Sequence, residues 1–405
     1  MKVINKIAIL ISWPRELDMF SVFTENILGD VIIIVDDLTY YTQDEKRDNA
    51  KYIIELLDNR ADYVLLSEVL RKEKYSVLLS TAQTLQEKIT FHSYLKYLYS
   101  ISIGSFIHYF GLSKFFLRVI KHSLVGDGKH ARKFKRYRIE KVIGKKVIKY
   151  PKGLDISKLT YPDKQWKNIF DLYFCHSKID KDLISDKFPN VKCINIGYPK
   201  YDNILPINSA KKIIYSEISN INTSKLTLLW MPTIIRFGDG FIDNIRMWLP
   251  VIERLLGEFN IIIRPHPKVL VIDPKIVNNL AELGFLVDIK KDRNLGVLYQ
   301  SADLVLADYG GPVLSSIYMK KKLVLLNSPS KKYANWRKKR MYIDDDVRND
   351  VHVFNVSDGT ALIEQINASI QDKDSLKTNR LKEKYFGKDC NYEELREIFN
   401  NLLSV

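Results

Sequence analysis

Two strand-to-turn units in the second half of the chain decide the fold: NIIIRPHPK at residues 260–268 and ADLVLADYGG at residues 302–311. In each unit a short apolar run stops abruptly at polar residues that are bounded by proline or glycine. Runs of this kind are typical of strands in a parallel sheet, which is buried on both faces. Ligands of open α/β sheets bind at the carboxyl ends of such strands. The two units therefore predict a ligand crevice at one sheet edge, and their cationic and Gly-Gly groups favour a phosphate.

The size and composition of the chain indicate a globular protein of two domains. It has 405 residues, of which 46% are hydrophobic and 27% are charged. Its three cysteines lack metal-ligand spacing and the first apolar run lacks a signal-peptide cleavage site, which favours a reducing cytoplasm. The net charge of +15 leaves nucleic acid, an anionic membrane surface and a polyanionic substrate open as partners. No segment is long and apolar enough to cross a bilayer, so we expect any membrane contact to be peripheral.

Alternating strand and helix patterns predict doubly wound parallel sheets, an α/β fold class. Strand patterns of the first half lie at 7–11, 31–35, 63–66, 77–79, 171–175 and 191–196, and those of the second half at 226–230, 261–263, 302–307 and 323–326. A helix pattern covers 241–258 and the residues before it read as a loop. The polar segment 219–224 is the best linker. We expect domains over 1–218 and 225–385, and a final helix within 386–405 that crosses back to the first domain.

A basic run in the first half interleaves cations with aromatic residues, after an aromatic-rich stretch at 93–119 that we interpret as core and interdomain face. Its cations include Lys129, Arg132, Lys133, Lys135, Arg136 and Arg138. Such a run fits RNA, a solvated loop, or a patch for anionic lipid head groups or a phosphate-bearing acceptor. Because no nucleic-acid-binding motif occurs elsewhere, lipid or acceptor ranks above RNA. The aromatic stretch has a membrane-docking element as its alternative interpretation.

His266 is the leading functional residue of the second half. It stands between two prolines that hold the backbone extended, so its imidazole projects rigidly at a strand end. We interpret it as a donor to a nucleotide phosphate or leaving group. Arg264 and Lys268 flank it as further donor-binding candidates. Because their side chains alternate in direction with that of His266, a salt bridge elsewhere is the alternative for either residue.

Gly310-Gly311, followed by proline, predicts a helix-opening turn. Backbone N–H groups of such a turn can hold a phosphate, together with the hydroxyls of Ser315 and Ser316 one turn later. Asp308 directly precedes the turn. A plain strand–helix connection is the alternative interpretation.

A third connection, with Thr233 and Arg236, follows the strand pattern at 226–230. Arg236 can pair with a pyrophosphate. A surface loop explains this segment equally well.

His122 and Asp127 are the acid/base candidates of the first domain. A hydroxyl nucleophile needs a base within hydrogen-bond reach, and neighbouring cations favour the neutral form of His122. A surface histidine in a basic run is the alternative. The remaining histidines carry no motif and read as structural, and the chain has no Walker A loop, HExxH, Cys-x-x-Cys or GxSxG sequence.

Taken in order, these segments resemble the CDP-glycerol glycerophosphotransferases that make teichoic acids and related capsule polymers. The resemblance spans roughly 120–326 and rests on five pieces: IKHSLVG at 120–126, GYPKYD at 197–202, MPT with Arg236, RPHP at 264–267 and ADYGG at 307–311. It implies a GT-B fold of two Rossmann-like domains facing a cleft, with a cytidine-activated donor bound mainly by the second domain. It also implies a cytoplasmic enzyme on the inner face of the membrane that acts on a lipid-linked acceptor. His122 would then be the base and His266 would support the donor phosphates.

Two positions depart from that family's pattern. Ser123 stands where the family usually has glycine, and Gly310-Gly311 stand where it usually has two serines. Asp127, His266 and the serine pair also resemble the GT-B bacterial sialyltransferases, which use a CMP-sugar and in which Asp127 would be the acid/base. The Gly-Gly turn after an aspartate resembles UDP-sugar 2-epimerases more weakly.

We therefore expect a transferase of surface-polymer synthesis with a CDP-polyol donor and a lipid-linked or polymeric anionic acceptor, and no nucleic-acid partner. Transfer of this type requires mainly positioning and charge stabilisation. No cofactor is assigned, and the chemistry leaves room for a divalent metal. The alternatives are a CMP-sugar glycosyltransferase and a non-catalytic polyanion-binding protein.

Overall fold

Two parallel β-sheets, one of seven and one of six strands, form the framework of the chain, and a two-stranded hairpin stands apart from them. A computed structural model describes residues 2–37, 47–57, 61–70, 72–81, 139–151, 153–154, 170–187, 189–202, 205–237, 240–290, 293–328, 330–340, 342–355, 361–372 and 375–404. The predicted α/β class with parallel sheets is confirmed.

The first sheet is covered by apolar cores on both faces. Its strands are β1 Lys2–Ile11, β2 Val31–Val35, β3 Tyr63–Leu65, β4 Glu73–Ser80, β5 Gly144–Lys149, β6 Leu172–Cys175 and β7 Lys192–Asn195. They lie in the order β3-β2-β1-β4-β5-β6-β7, and each neighbouring pair is parallel. Successive side chains of a strand point to opposite faces, and β1 accordingly gives Ile9 and Ile11 to one core and Ala8 and Leu10 to the other.

Short helices connect the strands of the first sheet. Those described are α1 Pro14–Val22, α2 Arg47–Leu57, α3 Leu66–Val69, α4 Ile139–Ile143, α5 Lys178–Lys187, α6 Pro199–Asp202 and α7 Ile207–Glu217, and a π-helical turn, Phe23–Ile27, extends α1. The sequence sets the start of α1 in two ways. Pro14 occupies the first helical position, and the Glu16 carboxylate accepts the N–H groups of Ser12 at 2.7 Å and Trp13 at 3.2 Å.

The second sheet repeats this organisation. Its strands are β8 Thr227–Met231, β11 Asn260–Ile263, β12 Leu286–Val287, β13 Leu304–Ala307, β14 Leu323–Asn327 and β15 His352–Asn355, while β9 Ile234–Phe237 and β10 Gly240–Asp243 form the hairpin. The order is β12-β11-β8-β13-β14-β15, again all parallel. Alternation divides β13 between two cores, with Val305 and Ala307 on one face and Leu304 and Leu306 on the other.

Helices of the second half cover both faces of this sheet, apart from the last helix, which packs against the first sheet. They are α8 Asn244–Ile252, α9 Pro267–Ile272, α10 Ile276–Glu282, α11 Leu295–Ser301, α12 Gly311–Tyr318, α13 Lys331–Arg340, α14 Ile343–Asp346, α15 Ala361–Gln371, α16 Ser375–Phe386 and α17 Tyr392–Leu403. Short 3-10 turns follow α8 at Glu253–Gly257 and α14 at Val347–Asn349.

The segment between β8 and α8 differs from its prediction. The sequence indicated a loop followed by a helix from residue 241, whereas the structure forms an antiparallel hairpin and begins the helix at Asn244. Ile234, Ile235 and Ile242 lie in the hairpin. Branched residues of this type favour strands, and this preference prevailed over the helical spacing of the apolar residues.

The last helix, α17, packs against the first sheet. Phe399 belongs to the core on one face of that sheet, where its ring centroid lies 6.1 Å from that of Phe23 and 5.8 Å from that of Phe174. Lys146 Nζ also donates to the Leu402 carbonyl at 3.3 Å. We keep the domain limits 1–218, 225–385 and 386–405 as a proposal that these contacts support. Within the described ranges, no helix has the length and apolar character needed to cross a membrane.

Candidate active site

The carboxyl ends of β11, β8 and β13 lie side by side at one edge of the second sheet. β8 is the middle strand of the three, and its last residues pair in register with the last residues of both neighbours. The segments that leave these strands contain His266, Thr233 and Asp308. The sheet therefore brings together the three segments predicted to line a ligand crevice, although Thr233 and Asp308 are 75 residues apart in the chain.

Asp308 is a buried acceptor that ties the β8 and β13 loops together. Its carboxylate accepts hydrogen bonds from Thr233 N at 3.1 Å and Thr233 Oγ1 at 2.7 Å, from the side-chain amide of Asn244, and from Tyr309 N at 2.7 Å. Its residue exposure is 1%, and this burial raises the pKa of the carboxyl. These contacts hold the crevice wall together, and the donor contact predicted for Asp308 and Thr233 stays a prediction.

The Gly310-Gly311 turn opens α12 and faces free space. Gly310 has φ +73°, a conformation that side chains other than glycine adopt at a cost. A Cβ atom added at either glycine would meet no protein atom within 4 Å. Helix N-termini attract anions through their unpaired N–H groups and the helix dipole. The turn thus exposes backbone at the helix start to an open crevice.

Ser315 and Ser316 lie away from this turn, inside the protein. Ser315 Oγ accepts from the Tyr201 hydroxyl at 3.5 Å, and Ser316 Oγ donates to the Pro312 carbonyl at 2.8 Å. Their residue exposures are 7% and 0%. Both serines thus pack at the buried side of α12, and the phosphate contact predicted for them stays a prediction.

Arg264 belongs to a buried ion network at the end of β12. Its guanidinium donates to Asp288 Oδ2 at 2.6 Å and to the Lys290 carbonyl at 3.0 Å. Asp288 also accepts from Arg293 at 2.8 Å, and Arg293 pairs with Glu217 at the end of α7. The pairing with Asp288 fixes the Arg264 guanidinium at this strand end, and the donor contact predicted for Arg264 stays a prediction. The network also holds the segment in which His266 stands.

His266 lies between β11 and α9, with its side chain half-buried and its carbonyl accepting the Val269 N–H at 2.7 Å. Arg236 lies in β9 and Lys268 in α9, but the side chains of both are outside the part of the chain that the structure describes. His122 and Asp127 are also outside the described residues, as is the basic run of Lys129, Arg132, Lys133, Lys135, Arg136 and Arg138. Their predicted roles stay predictions.

A cluster of arginines and aromatic rings supports the Gly310 turn from behind, and no sequence motif indicated this cluster. Arg337 and Arg348 lie over the Tyr309 ring at 4.4 Å and 4.2 Å from its centroid. Asp344 accepts from Arg337 at 2.5 Å and from the Gly310 N–H at 2.8 Å. Cation–π contacts and buried ion pairs of this type need fixed geometry. The cluster therefore fixes the conformation of the turn.

The 197–202 segment joins the two halves of the protein. The His176 ring contacts the Gly197 carbonyl at 3.0 Å, on the side of the first sheet. On the other side, Tyr198 N donates to the Tyr318 hydroxyl at 2.7 Å, and that hydroxyl donates to Asp202 at 2.7 Å. Burial raises the pKa of Asp202 to about 6. A Cβ at Gly197 would lie 2.6 Å from Cys390 N, so only glycine fits there.

Replacing Tyr318 with phenylalanine is expected to destabilise the protein by about 2 kcal/mol. The change leaves the buried Tyr198 N–H without its acceptor and removes a hydrogen bond to Asp202. The midpoint of urea unfolding measures the effect. Tyr63→Phe is the matched control, since Tyr63 is 37% exposed and its change should stay within about 0.5 kcal/mol. Equal midpoints for the two variants would contradict the role of Tyr318.

The carboxyl edge of the first sheet carries buried polar groups that the sequence also failed to indicate. Glu16 accepts from Thr81 Oγ1 at 2.5 Å in addition to its N–H contacts at the start of α1, and Asp36 accepts from Ser12 Oγ at 3.1 Å. Both acids are fully buried. They order the loops after β1, β2 and β4, which is the edge where an acceptor would meet the donor in a two-domain cleft.

Comparison with known proteins adds a family and a fold. A family model described as CDP-Glycerol:Poly(glycerophosphate) glycerophosphotransferase matches residues 129–394, about two thirds of the chain. No sequence among curated proteins matches.

Solved structures resemble the chain over nearly its whole length. A variant of the wall teichoic acid polymerase TagF has a TM-score of 0.58 at 12% identity, covering 99% of this chain and 89% of that chain. A TagF variant soaked with CDPG has a TM-score of 0.54 at 11% sequence identity, and the match covers 99% of this chain and 89% of that chain. S. aureus MnaA with UDP has a TM-score of 0.51 at 11% sequence identity, and the match covers 99% of this chain and 96% of that chain. At such identities the likeness concerns the fold, and the predicted GT-B architecture is confirmed.

Proposed function

The chain belongs to the CDP-glycerol:poly(glycerophosphate) glycerophosphotransferase family and is a transferase, and on this premise we propose that it moves glycerol phosphate from CDP-glycerol to a phosphate-rich acceptor. One observation carries the proposal. His266 follows β11 and the open Gly310-Gly311 turn follows β13, the two strands on either side of β8 at one sheet edge. Both segments lie within the residues that match the family.

The donor diphosphate is proposed to lie against the Gly310-Gly311 turn. The absence of side chains lets the diphosphate approach the backbone closely, and the start of α12 favours negative charge. Asp308 is held by its hydrogen bonds from Thr233, and Asp344 already accepts the Gly310 N–H, so we assign the diphosphate contact to the N–H of Gly311. Arg337 and Arg348 lie behind the turn, where Asp344 and Asp345 balance their two positive charges, so the proposed contact depends on the backbone N–H groups.

The reaction requires one bond to form and one to break. The acceptor hydroxyl oxygen forms a bond to the β-phosphorus of CDP-glycerol, the bond from that phosphorus to the CMP oxygen breaks, and the hydroxyl proton passes to a base. CMP departs as an anion, so positive charge and N–H donors at the leaving oxygen lower the barrier. His266 is proposed to supply such a donor to the donor phosphates.

The acceptor half of the mechanism is assigned to the first domain. His122 is proposed as the base, with Asp127 as the alternative acid/base. The basic run of the first half and the net charge of +15 over the chain support an anionic acceptor and an anionic membrane surface. The cations of this run are Lys129, Arg132, Lys133, Lys135, Arg136 and Arg138. We propose that the acceptor is lipid-linked or polymeric and that the enzyme works peripherally on the inner face of the membrane. The product would be a cell-surface polymer of the teichoic acid or capsule type.

A donor panel tests this function. The purified protein is incubated with a poly(glycerophosphate) oligomer and either CDP-glycerol or CMP-sialic acid. The expected result is release of CMP from CDP-glycerol, with acceptor masses rising by whole glycerol phosphate units. Turnover of CMP-sialic acid alone, or CMP release that leaves the acceptor mass unchanged, would contradict the proposal.

A further inference from the structure

Helix α13 presents a strongly basic surface that the proposed reaction does not use. Its ten residues, KKYANWRKKR, include six cations and no acid. Lys331, Lys332 and Lys338 are exposed. Within the described ranges, Lys331 and Lys338 form no ion pair with a carboxylate. Like charges three or four residues apart destabilise a helix, so this composition needs an external anion or a firm anchor.

The anchor is the buried side of α13. Tyr333 and Arg337, one helical turn apart, are each 4% exposed. The Tyr333 ring lies 5.0 Å from that of Tyr309, and Arg337 pairs with Asp344 at 2.5 Å and with Asp345 at 2.7 Å. Arg337 is thus neutralised by protein carboxylates.

The anchor also connects α13 to the proposed donor turn. Asp344, the partner of Arg337, accepts the Gly310 N–H. The contact with the turn is therefore made by the buried side of α13. An anionic chain on the exposed side would lie about one helix diameter, roughly 10 Å, from that contact.

We propose that the exposed face of α13 binds the phosphodiester backbone of the poly(glycerophosphate) acceptor, an inference that rests on the proposed function. A ten-residue helix is about 15 Å long, enough to meet several repeats of a chain that carries one negative charge per unit. Lysine binds phosphate as a mobile point charge and not through fixed geometry. Such a surface holds the polymer without fixing its register, which lets a growing chain advance.

A membrane surface is the competing partner, and the exposed face of α13 argues against it. Helices that lie in a bilayer interface insert an apolar face. Here the large ring of Tyr333 is buried, and Trp336 stacks on Tyr333 at 5.8 Å between ring centroids. Among the α13 side chains that the structure describes, the exposed ones are the three lysines with Ala334 and Asn335, and Trp336 is half-buried. None of these exposed side chains is large and apolar.

The test is direct binding of a fluorescent poly(glycerophosphate) oligomer at low salt, which requires no turnover. The variant Lys331→Glu/Lys332→Glu/Lys338→Glu is expected to bind about 10- to 100-fold more weakly and with a shallower salt dependence. A second variant with glutamine at the same three positions should lose less polymer affinity. Thermal melting of both variants checks that they are folded.

The matched control reverses three exposed lysines elsewhere, Lys181, Lys192 and Lys212, and should bind like the wild type. Unchanged binding in both α13 variants would overturn the inference, as would an equal loss in the control. Loss of binding to anionic vesicles, with polymer binding intact, would assign α13 to the membrane instead. Failure of CDP-glycerol turnover in the donor panel would reject the proposed function separately, because polymer binding is read without the donor.

Discussion

His266→Ala is expected to lower kcat/KM for CDP-glycerol transfer by about 100- to 1000-fold, the range seen when one donor to developing negative charge is removed. The residue follows β11 at the crevice edge, between two prolines that keep its backbone extended, and its side chain is half-buried. The fold should survive, since the neighbouring contacts of Arg264 with Asp288 remain. Initial rates of CMP release measure the effect, and the thermal unfolding midpoint verifies folding.

Two further variants make this result specific. His266→Gln keeps a hydrogen-bond donor without the ability to carry charge, so it should retain more activity than alanine. Asn278→Ala, at an exposed position on α10 of the same domain, should match the wild type. Full activity of His266→Ala would remove the histidine from the mechanism.

Gly311→Ala is expected to raise the Kd for CDP-glycerol by about 10- to 100-fold while leaving stability intact, which corresponds to about 1.4 to 2.8 kcal/mol of lost binding. The added methyl group meets no protein atom within 4 Å, so it projects into the space proposed for the diphosphate. Alanine at the first turn of a helix is also tolerated better than glycine. Titration calorimetry with CDP-glycerol gives the affinity and thermal melting gives the stability.

The glycines themselves supply the controls. Gly257→Ala also places a methyl group in open space, at the end of a 3-10 turn, and should bind the donor normally. Gly310→Ala forces φ +73° on alanine and should cost about 1 to 2 kcal/mol of stability. Wild-type affinity in Gly311→Ala would exclude the turn from donor binding.

The strands were predictable because their signal is local. The run at 31–35 is strand β2 with the same limits, and the run at 261–263 differs from β11 by one residue. The crevice followed from the same signal, since parallel strands must end at a common edge. The final helix was likewise predicted within 386–405 and is observed at Tyr392–Leu403.

Side-chain roles were less predictable because they depend on partners far away in the chain. Arg264 pairs with Asp288, 24 residues later, and this ion pair fixes the position of its guanidinium. Ser315 and Ser316 follow the Gly-Gly turn closely in sequence, but the helix rotates them toward the buried side. The Arg337 and Arg348 contacts with Tyr309 depend on the placement of α13 and α14, for which the sequence carried no motif.

The location of the donor is the central claim, and a crystal soaked with CDP-glycerol tests it most directly. Electron density for the diphosphate is expected against the Gly310-Gly311 backbone at the start of α12, with His266 within hydrogen-bond reach of a phosphate oxygen. Density for the cytidine nucleotide at another surface, with the Gly310-Gly311 crevice empty, would contradict the claim.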